Sequence, residues 1–244
     1  MVGPKHHLAA GHSLISMILP EGHRSPITRE GVTCLADAAL PTRFGDFRIA
    51  ILRVGGTGPE VVVIWSGRLI GAEPPLVRLH SECLTGEVFG SLRCDCGEQL
   101  AAALRSIAAA GRVALLYLRQ EGRGIGLANK IRAYALQDLG LDTVDANLAL
   151  GLPPDRRDYG AAVAALRYLG VRQVRLLTNN PRKCQALERN GIAVVERVPL
   201  AIEPNPTNLA YLRTKEARLG HFLGFDHRVD EPVVSNEGPG ATGP

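Results

Sequence analysis

Three cysteines, Cys83, Cys94 and Cys96, fall within a span of fourteen residues, in a stretch (77–99) that also carries His80, Glu82, Arg93 and Asp95. Thiols gathered this way are either free cysteines packed in a core or ligands of a metal. A Cys-Asp-Cys tripeptide flanked by arginine and glycine makes a poor core sequence, so the pattern points to metal. Three thiolates give zinc a tetrahedron with one position left for water, the arrangement of a catalytic rather than a closed structural site. Zinc so held lowers the pKa of its water to about 7 and makes hydroxide available at neutral pH. A structural site would need a fourth ligand, for which His80 is the nearest candidate; Cys34 and Cys184 are distant.

Three further clusters carry polar chemistry. RQEGRGIGL (119–127) is a glycine-rich turn that could present backbone N–H groups to a phosphate. It departs from the dinucleotide spacing G-x-G-x-x-G, because Leu127 stands where the third glycine belongs. The competing reading is an ordinary strand–helix turn, and Glu121 and Arg123 tip the balance toward a ligand. PPDRRDYG (153–160) mixes both signs of charge ahead of a helix, with Asp158 placed to face the helix N-terminus. LLTNNPRK (176–183) runs from a strand through Thr178, Asn179 and Asn180 into a helix. Asn180 suits capping, and Lys183 in the first helical turn could reach a phosphate. A hydroxide-generating metal beside several separated arginine, lysine and backbone donors calls for hydrolysis of a polyphosphorylated substrate.

These groups must be positioned by the elements around them. Residues 40–52 read as turn then strand, 60–67 as a β-branched strand, and 75–80 as a third strand running into the cysteines. From Cys96 onward the pattern alternates. Leu100, Leu104 and Ile107 share one face of a helix that stops at Gly111, and VALLYL (113–118) is an apolar run suited to a buried strand. Helices follow over 127–140, 159–170, 181–191 and about 207–223, with strands at 174–177 and 192–198. The expected class is α/β, a mixed β-sheet with flanking helices. Residues 1–39 read as a loosely ordered N-terminal extension, 40–223 as the catalytic domain, and 224–244 as a disordered polar tail.

Composition excludes little and suggests a setting. The chain has 244 residues, enough for a real core, and a net charge of +4, too mild to argue for nucleic acid or a membrane surface. Of 28 cations 24 are arginine, which reflects either codon bias or a taste for bidentate phosphate binding. Five cysteines, no secretory start and no spanning apolar run lead to an expected cytoplasmic location. The scarcity of aromatics argues against a zinc-stabilised RNA-binding module.

Taken together, RLHSECLTGEVFGSLRCDCG, RQEGRGIGLANKIRAYALQD, LDTVDANLALG, PDRRDY and RLLTNNPRK resemble GTP cyclohydrolase II of riboflavin biosynthesis, from about Leu40 to Leu223. The resemblance implies hydrolysis of GTP to 2,5-diamino-6-(5-phosphoribosylamino)pyrimidin-4-one, formate and pyrophosphate. It implies zinc on Cys83, Cys94 and Cys96, with water attacking the purine C8, and magnesium travelling with the triphosphate. Arg157 matches an arginine proposed to attack the α-phosphorus, with electrostatic stabilisation as the alternative, and Asp155 matches its proton acceptor. Tyr134 matches the tyrosine of the ring-opening stage. Substrate contacts carry over as Arg78, Leu79, His80, Ser81, Glu82, Gln99, Glu121, Gly122, Arg123, Thr143, Thr178 and Lys183. Glu121 suits guanine, since a carboxylate can accept from both N1–H and the 2-amino group. The resemblance also implies a homodimer, with GTP as small-molecule partner and neither nucleic acid nor membrane. Departures are few: Ala128 and Cys184 replace a leucine and an aliphatic residue, away from the chemistry. A paralogue feeding GTP into another pathway shares the first step.

Overall fold

A computed structural model describes residues 27–200 and 202–224. Eight strands form one mixed sheet: β1 (Ile27–Arg29), β2 (Val32–Thr42), β3 (Gly45–Val54), β4 (Glu60–Ser66), β5 (Leu76–Ser81), β6 (Val113–Leu118), β7 (Gln173–Leu177) and β8 (Ala193–Val198). Their spatial order is β1-β2-β3-β4-β6-β5-β7-β8. The first half is an antiparallel meander that ends by pairing β4 with β6. The second half, β6-β5-β7-β8, is parallel. Parallel neighbours need crossovers, which are supplied by α1 (Leu84–Glu87) and α2 (Cys96–Ala110) after β5, and by α3 (Leu127–Asp138), α4 (Thr143–Ala149) and α5 (Gly160–Tyr168) after β6. The remaining helices are α6 (Pro181–Arg189), between β7 and β8, and α7 (Leu209–Leu219).

The expected α/β class with a mixed sheet holds. The expected N-terminal extension, by contrast, gives up residues 27–39 to the sheet. β2 pairs with β3 from Val32↔Val54 to Thr42↔Gly45, and Val32 and Cys34 enter the core. The alanine-rich sequence VTCLADAALPT has little strand propensity of its own, so the partner strand decides its conformation. The rest of that extension and the tail after Gly224 lie outside the described residues.

The core has two parts, one on each face of the sheet. Trp65, Val77, Leu79, Leu116, Leu166 and Leu187 belong to one, under α5 and α6; Phe47, Leu76, Ile107, Leu115 and Leu177 belong to the other, under α2. Strand alternation on β5 therefore turns Val77 and Leu79 into the first core and leaves Arg78 and His80 on the α2 face. Both polar residues are nonetheless buried, at 4% and 2% exposure. Buried cations on a central strand need partners, and those partners make the site.

β5 is also where the topology reverses. The chain leaving it crosses to β6 on one side, and the chain leaving β6 crosses back to β7 on the other. A crevice opens at the carboxyl ends of such strands, where α/β proteins usually bind ligands.

Candidate active site

The cysteines arrive from three neighbouring positions at that crevice. Cys83 follows the end of β5, Cys94 precedes α2, and Cys96 is its first residue. Their sulfurs all lie within 4.8 Å of one another, with Cys83 and Cys94 at 3.7 Å. The short helix α1, invisible in the sequence pattern, makes the approach possible. Its Gly86 sits so close that an added Cβ would meet Cys94 Sγ at 2.8 Å and Cys83 Sγ at 3.4 Å. The donor set fits zinc: three sulfurs converge, and hydrogen bonds from the Cys94 and Cys96 thiols, with the Lys130 ammonium, hold the Cys83 thiol well below its ordinary pKa. His80 does not join them. Its Nε2 engages Glu87 Oε1 at 2.8 Å, and Tyr117 donates to the other oxygen of Glu87 at 2.7 Å.

Lys130 lines the cavity and was passed over in the sequence. From the first turn of α3 it donates to Cys83 Sγ at 3.1 Å and to Glu121 Oε1 at 2.8 Å. Burial disfavours its charge, but the Glu121 carboxylate overrides that and raises its pKa. The spacing to Tyr134, one helical turn on, was the available signal. Glu121 is correspondingly constrained. Its Oε1 also accepts from the Gly122 amide at 2.8 Å, and its Oε2 from the Leu84 amide at 2.7 Å. Two lone pairs per oxygen leave one acceptor direction free on Oε2. The carboxylate can thus take one base donor without rearrangement, not the two expected from the sequence. The turn is strained where it meets the pocket, since Arg123 sits at φ 60° and a left-handed non-glycine costs about 1–2 kcal/mol.

A relay of polar groups links the thiol cluster to the far wall. Arg78 donates to the Leu177 carbonyl at 3.0 Å and to Gln99 Oε1 at 2.6 Å. Gln99 donates to Asp95 Oδ2 at 2.6 Å, and Lys215 of α7 donates to Asp95 Oδ1 at 3.0 Å. Burial lowers the Arg78 pKa to about 10. Lys183 is buried in the same wall, its Nζ donating to the Leu79 carbonyl at 2.7 Å. Burial, then the charges of Arg78, Arg157 and Lys215, push its pKa well down. A cation so crowded is ready for an anion that would relieve the repulsion.

Arg157 is held differently. Its Nε and Nη2 donate to Asp155 Oδ1 and Oδ2 at 2.9 and 2.7 Å, and its own amide donates to Oδ1 at 3.1 Å. Burial opposes the charge on Arg157, yet Asp155 overrides it and raises the pKa. Asp155 is likewise pushed up by burial and brought below the usual range by Arg157.

One cavity gathers Arg78, His80, Ser81, Glu82, the three cysteines, Gln99, Glu121, Gly122, Arg123, Tyr134, Thr143, Arg157, Thr178 and Lys183. Two of the residues expected from the sequence stay outside its lining. Leu79 is fully buried in the core and serves through its carbonyl, and Asp155 stands behind Arg157. Tyr134 faces inward, its hydroxyl 3.3 Å from Thr85 Oγ1, and burial raises its pKa. Asn180 caps α6 by accepting from the Arg182 amide at 2.9 Å, and also lines the cavity. Asp158 accepts from the Gly160 amide at 3.0 Å, the expected role at a helix start. The sequence reading missed Tyr211, Lys215 and His221, all on or after α7.

Fold and site together define an α/β protein with a three-cysteine cluster in the wall of a cation-lined pocket. The chain belongs to the GTP cyclohydrolase II family, whose profile matches residues 33–199. It is 56% identical over 206 residues to GTP cyclohydrolase-2 of Azotobacter vinelandii, covering 84% of this chain and 99% of the relative. GTP cyclohydrolase-2 of Histophilus somni is 53% identical over 192 residues, covering 79% and 89%. The riboflavin biosynthesis protein RibBA of Bacillus subtilis is 57% identical over 190 residues, covering 78% of this chain and 48% of that protein, so the chain spans about half its length. A solved two-domain 3,4-dihydroxy-2-butanone 4-phosphate synthase from A. baumannii overlays 71% of this chain and 41% of its own with a TM-score of 0.40 at 19% identity, too slight a likeness to carry an argument.

Proposed function

We propose that this chain hydrolyses GTP to 2,5-diamino-6-(5-phosphoribosylamino)pyrimidin-4-one, formate and pyrophosphate, the committing reaction of riboflavin biosynthesis. The observation that carries the reading is the convergence of three sulfurs within 4.8 Å in the wall of the cavity that also holds Arg78, Arg123, Arg157 and Lys183. Cys83, Cys94 and Cys96 would hold zinc, which when bound supplies Lewis acidity and an acidified water. Magnesium is expected to arrive on the triphosphate.

The chain's own residues then divide the work. Lys183, Arg123 and Arg78 bind the phosphates, and the repulsion among them is relieved as the anion enters. Arg157 stays protonated against Asp155, which favours a role in stabilising charge at the α-phosphorus over nucleophilic attack by its guanidinium. Glu121 accepts one donor of the guanine edge through Oε2, and adenine, lacking the N1–H and 2-amino donors, would leave it unmatched. Tyr134 keeps its phenolic proton and can donate to the carbonyl oxygen of the opened ring. Exposed Val88, Phe89, Leu92 and Leu139 are apolar side chains that a homodimer would cover, and a cytoplasmic site of action matches the free thiols. No helix among the described residues is long and apolar enough to cross a membrane.

The test is purified protein with GTP and magnesium, following formate and pyrophosphate with and without a zinc chelator. Formate release that the chelator abolishes is expected, and Cys94→Ser should lose it as well. Folded, zinc-loaded protein that releases no formate would sink the reading.

A further inference from the structure

The turn that follows α7 carries a histidine into the cavity that none of the roles above employs. His221 is 9% exposed and lines the pocket, beyond the residues that the family profile matches. Several contacts hold it there. Gly220, at φ 67°, ends α7 in the left-handed conformation, and the His221 amide donates back to the Lys215 carbonyl at 3.2 Å. The Gly220 amide donates to the Glu216 carbonyl at 3.2 Å, the single-bond left-handed closure of a helix end. The next amide, Phe222, donates to the Asn179 carbonyl at 2.9 Å, and the Arg197 guanidinium lies 4.8 Å over the Phe222 ring. The backbone that carries the imidazole is therefore tied to α7 and to the Thr178–Asn180 loop at once.

Its Nδ1 is buried and has no hydrogen-bond partner among the described residues. An orphaned buried nitrogen is costly unless something beyond the chain completes it. The charges around it say what that would be. Lys215 on α7, Arg157 in the loop before α5, Arg123 in the turn after β6 and Lys183 on α6 line the same cavity as His221, and their charges act on it. Asp95 and Asp155 pair with Lys215 and Arg157, and the remaining positive charge calls for an anion.

We propose that His221 contacts the phosphate chain of the bound nucleotide and is the proton donor to the departing pyrophosphate. The inference rests on the GTP reading above. Burial and the four cations keep the imidazole neutral, its pKa lowered to about 3. A polyphosphate sets opposite charge against those same cations, so the imidazolium forms on the bound substrate. In the step itself the α-phosphorus gains a bond to a water oxygen and loses its bond to the oxygen bridging to the β-phosphorus. That oxygen leaves with the electron pair and takes the Nδ1 proton. The imidazole regains a proton from the water that attacked.

The experiment follows pyrophosphate release from GTP and magnesium across pH, for the zinc-loaded wild type and for His221→Gln and His221→Asn. Either amide can hydrogen-bond a phosphate but cannot deliver a proton. The expected result is a kcat lowered about 100-fold or more, with KM little changed and the alkaline limb of the wild-type profile lost. A GTP analogue with difluoromethylene between the β- and γ-phosphorus, whose leaving group is more acidic, should recover much of the lost rate. Wild-type kcat in His221→Gln overturns the proposal, as does a loss that keeps the alkaline limb and gains nothing from the analogue. Should neither variant melt like the wild type, Phe222→Ala unpins the same imidazole: a lower kcat with an altered alkaline limb supports the proposal, and an unchanged kcat overturns it. A wild type that releases no pyrophosphate overturns the GTP reading and this inference with it; failure confined to the variants overturns the inference alone.

Discussion

Lys130 shows how much one side chain can organise. Its ammonium joins the Cys83 sulfur to the Glu121 carboxylate, so a thiol of the proposed zinc site and the expected base reader share a cation. Both members of the Lys130–Glu121 pair are about nine-tenths buried. Removing one partner of such a pair leaves a charge with nothing to answer it, which costs more than the pair itself contributes. Lys130→Met is therefore expected to lower stability by about 3 kcal/mol in urea unfolding. It should also raise the Cys83 thiol pKa, measurable by alkylation rate against pH in metal-free protein. A variant as stable as the wild type would mean that Glu121 finds its compensation in the Gly122 and Leu84 amides alone.

At the level of elements, the least expected piece is α4. Its first residue is Thr143, a proposed substrate contact, and Asp142 caps it by accepting from the Val144 and Asp145 amides at 2.7 and 2.8 Å. Arg218 of α7 reaches Asp142 and Asp145 from the other side, tying the C-terminal helix to the cap. The two functions of Asp142 can be separated. Asp142→Ala loses cap and ion pair and should cost about 1 kcal/mol. Asp142→Asn keeps a capping oxygen, and because the ion pair is surface-exposed it should cost a smaller part of that. Equal losses in chemical denaturation would show that the ion pair, not the cap, dominates.

Across the whole molecule, α7 closes a site built mostly by the parallel half of the sheet. Lys215 meets Asp95 between the two cysteines of α2 and its approach, 120 residues away in sequence. Asp95 is pushed up by burial and brought below its ordinary pKa by Lys215, and Asp155 by Arg157 in the same sense. A carboxyl with a depressed folded pKa contributes stability that is present above its unfolded value, about 3.9, and is lost as pH falls through the folded one. The wild type should thus shed stability below about pH 4. Lys215→Met should begin less stable at neutral pH and lose less on acidification, because Asp95 no longer has a cation to lose. Parallel stability curves against pH for the two proteins would contradict the coupling of α7 to the cysteine-bearing loop.

Much of this molecule was legible as one-dimensional pattern because its chemistry is written in contiguous runs. The cysteines, the glycine turn, the Asp155–Arg157 loop and the Thr178–Lys183 corner each combine strand end, turn and helix start within a few residues. Local periodicity placed β6 at the observed bounds, and α3 and α6 to within a residue or two. Tertiary contact decided the rest. β2 is a strand because β3 pairs with it, α1 is a helix because two cysteines must meet across it, and Glu121 has one free acceptor direction because Lys130 and two amides take the others. Lys215 and His221 belong to the site only because α7 folds back on it. A helix and its closing turn look the same in sequence whether they face solvent or a cavity, and it takes packing between distant segments to choose.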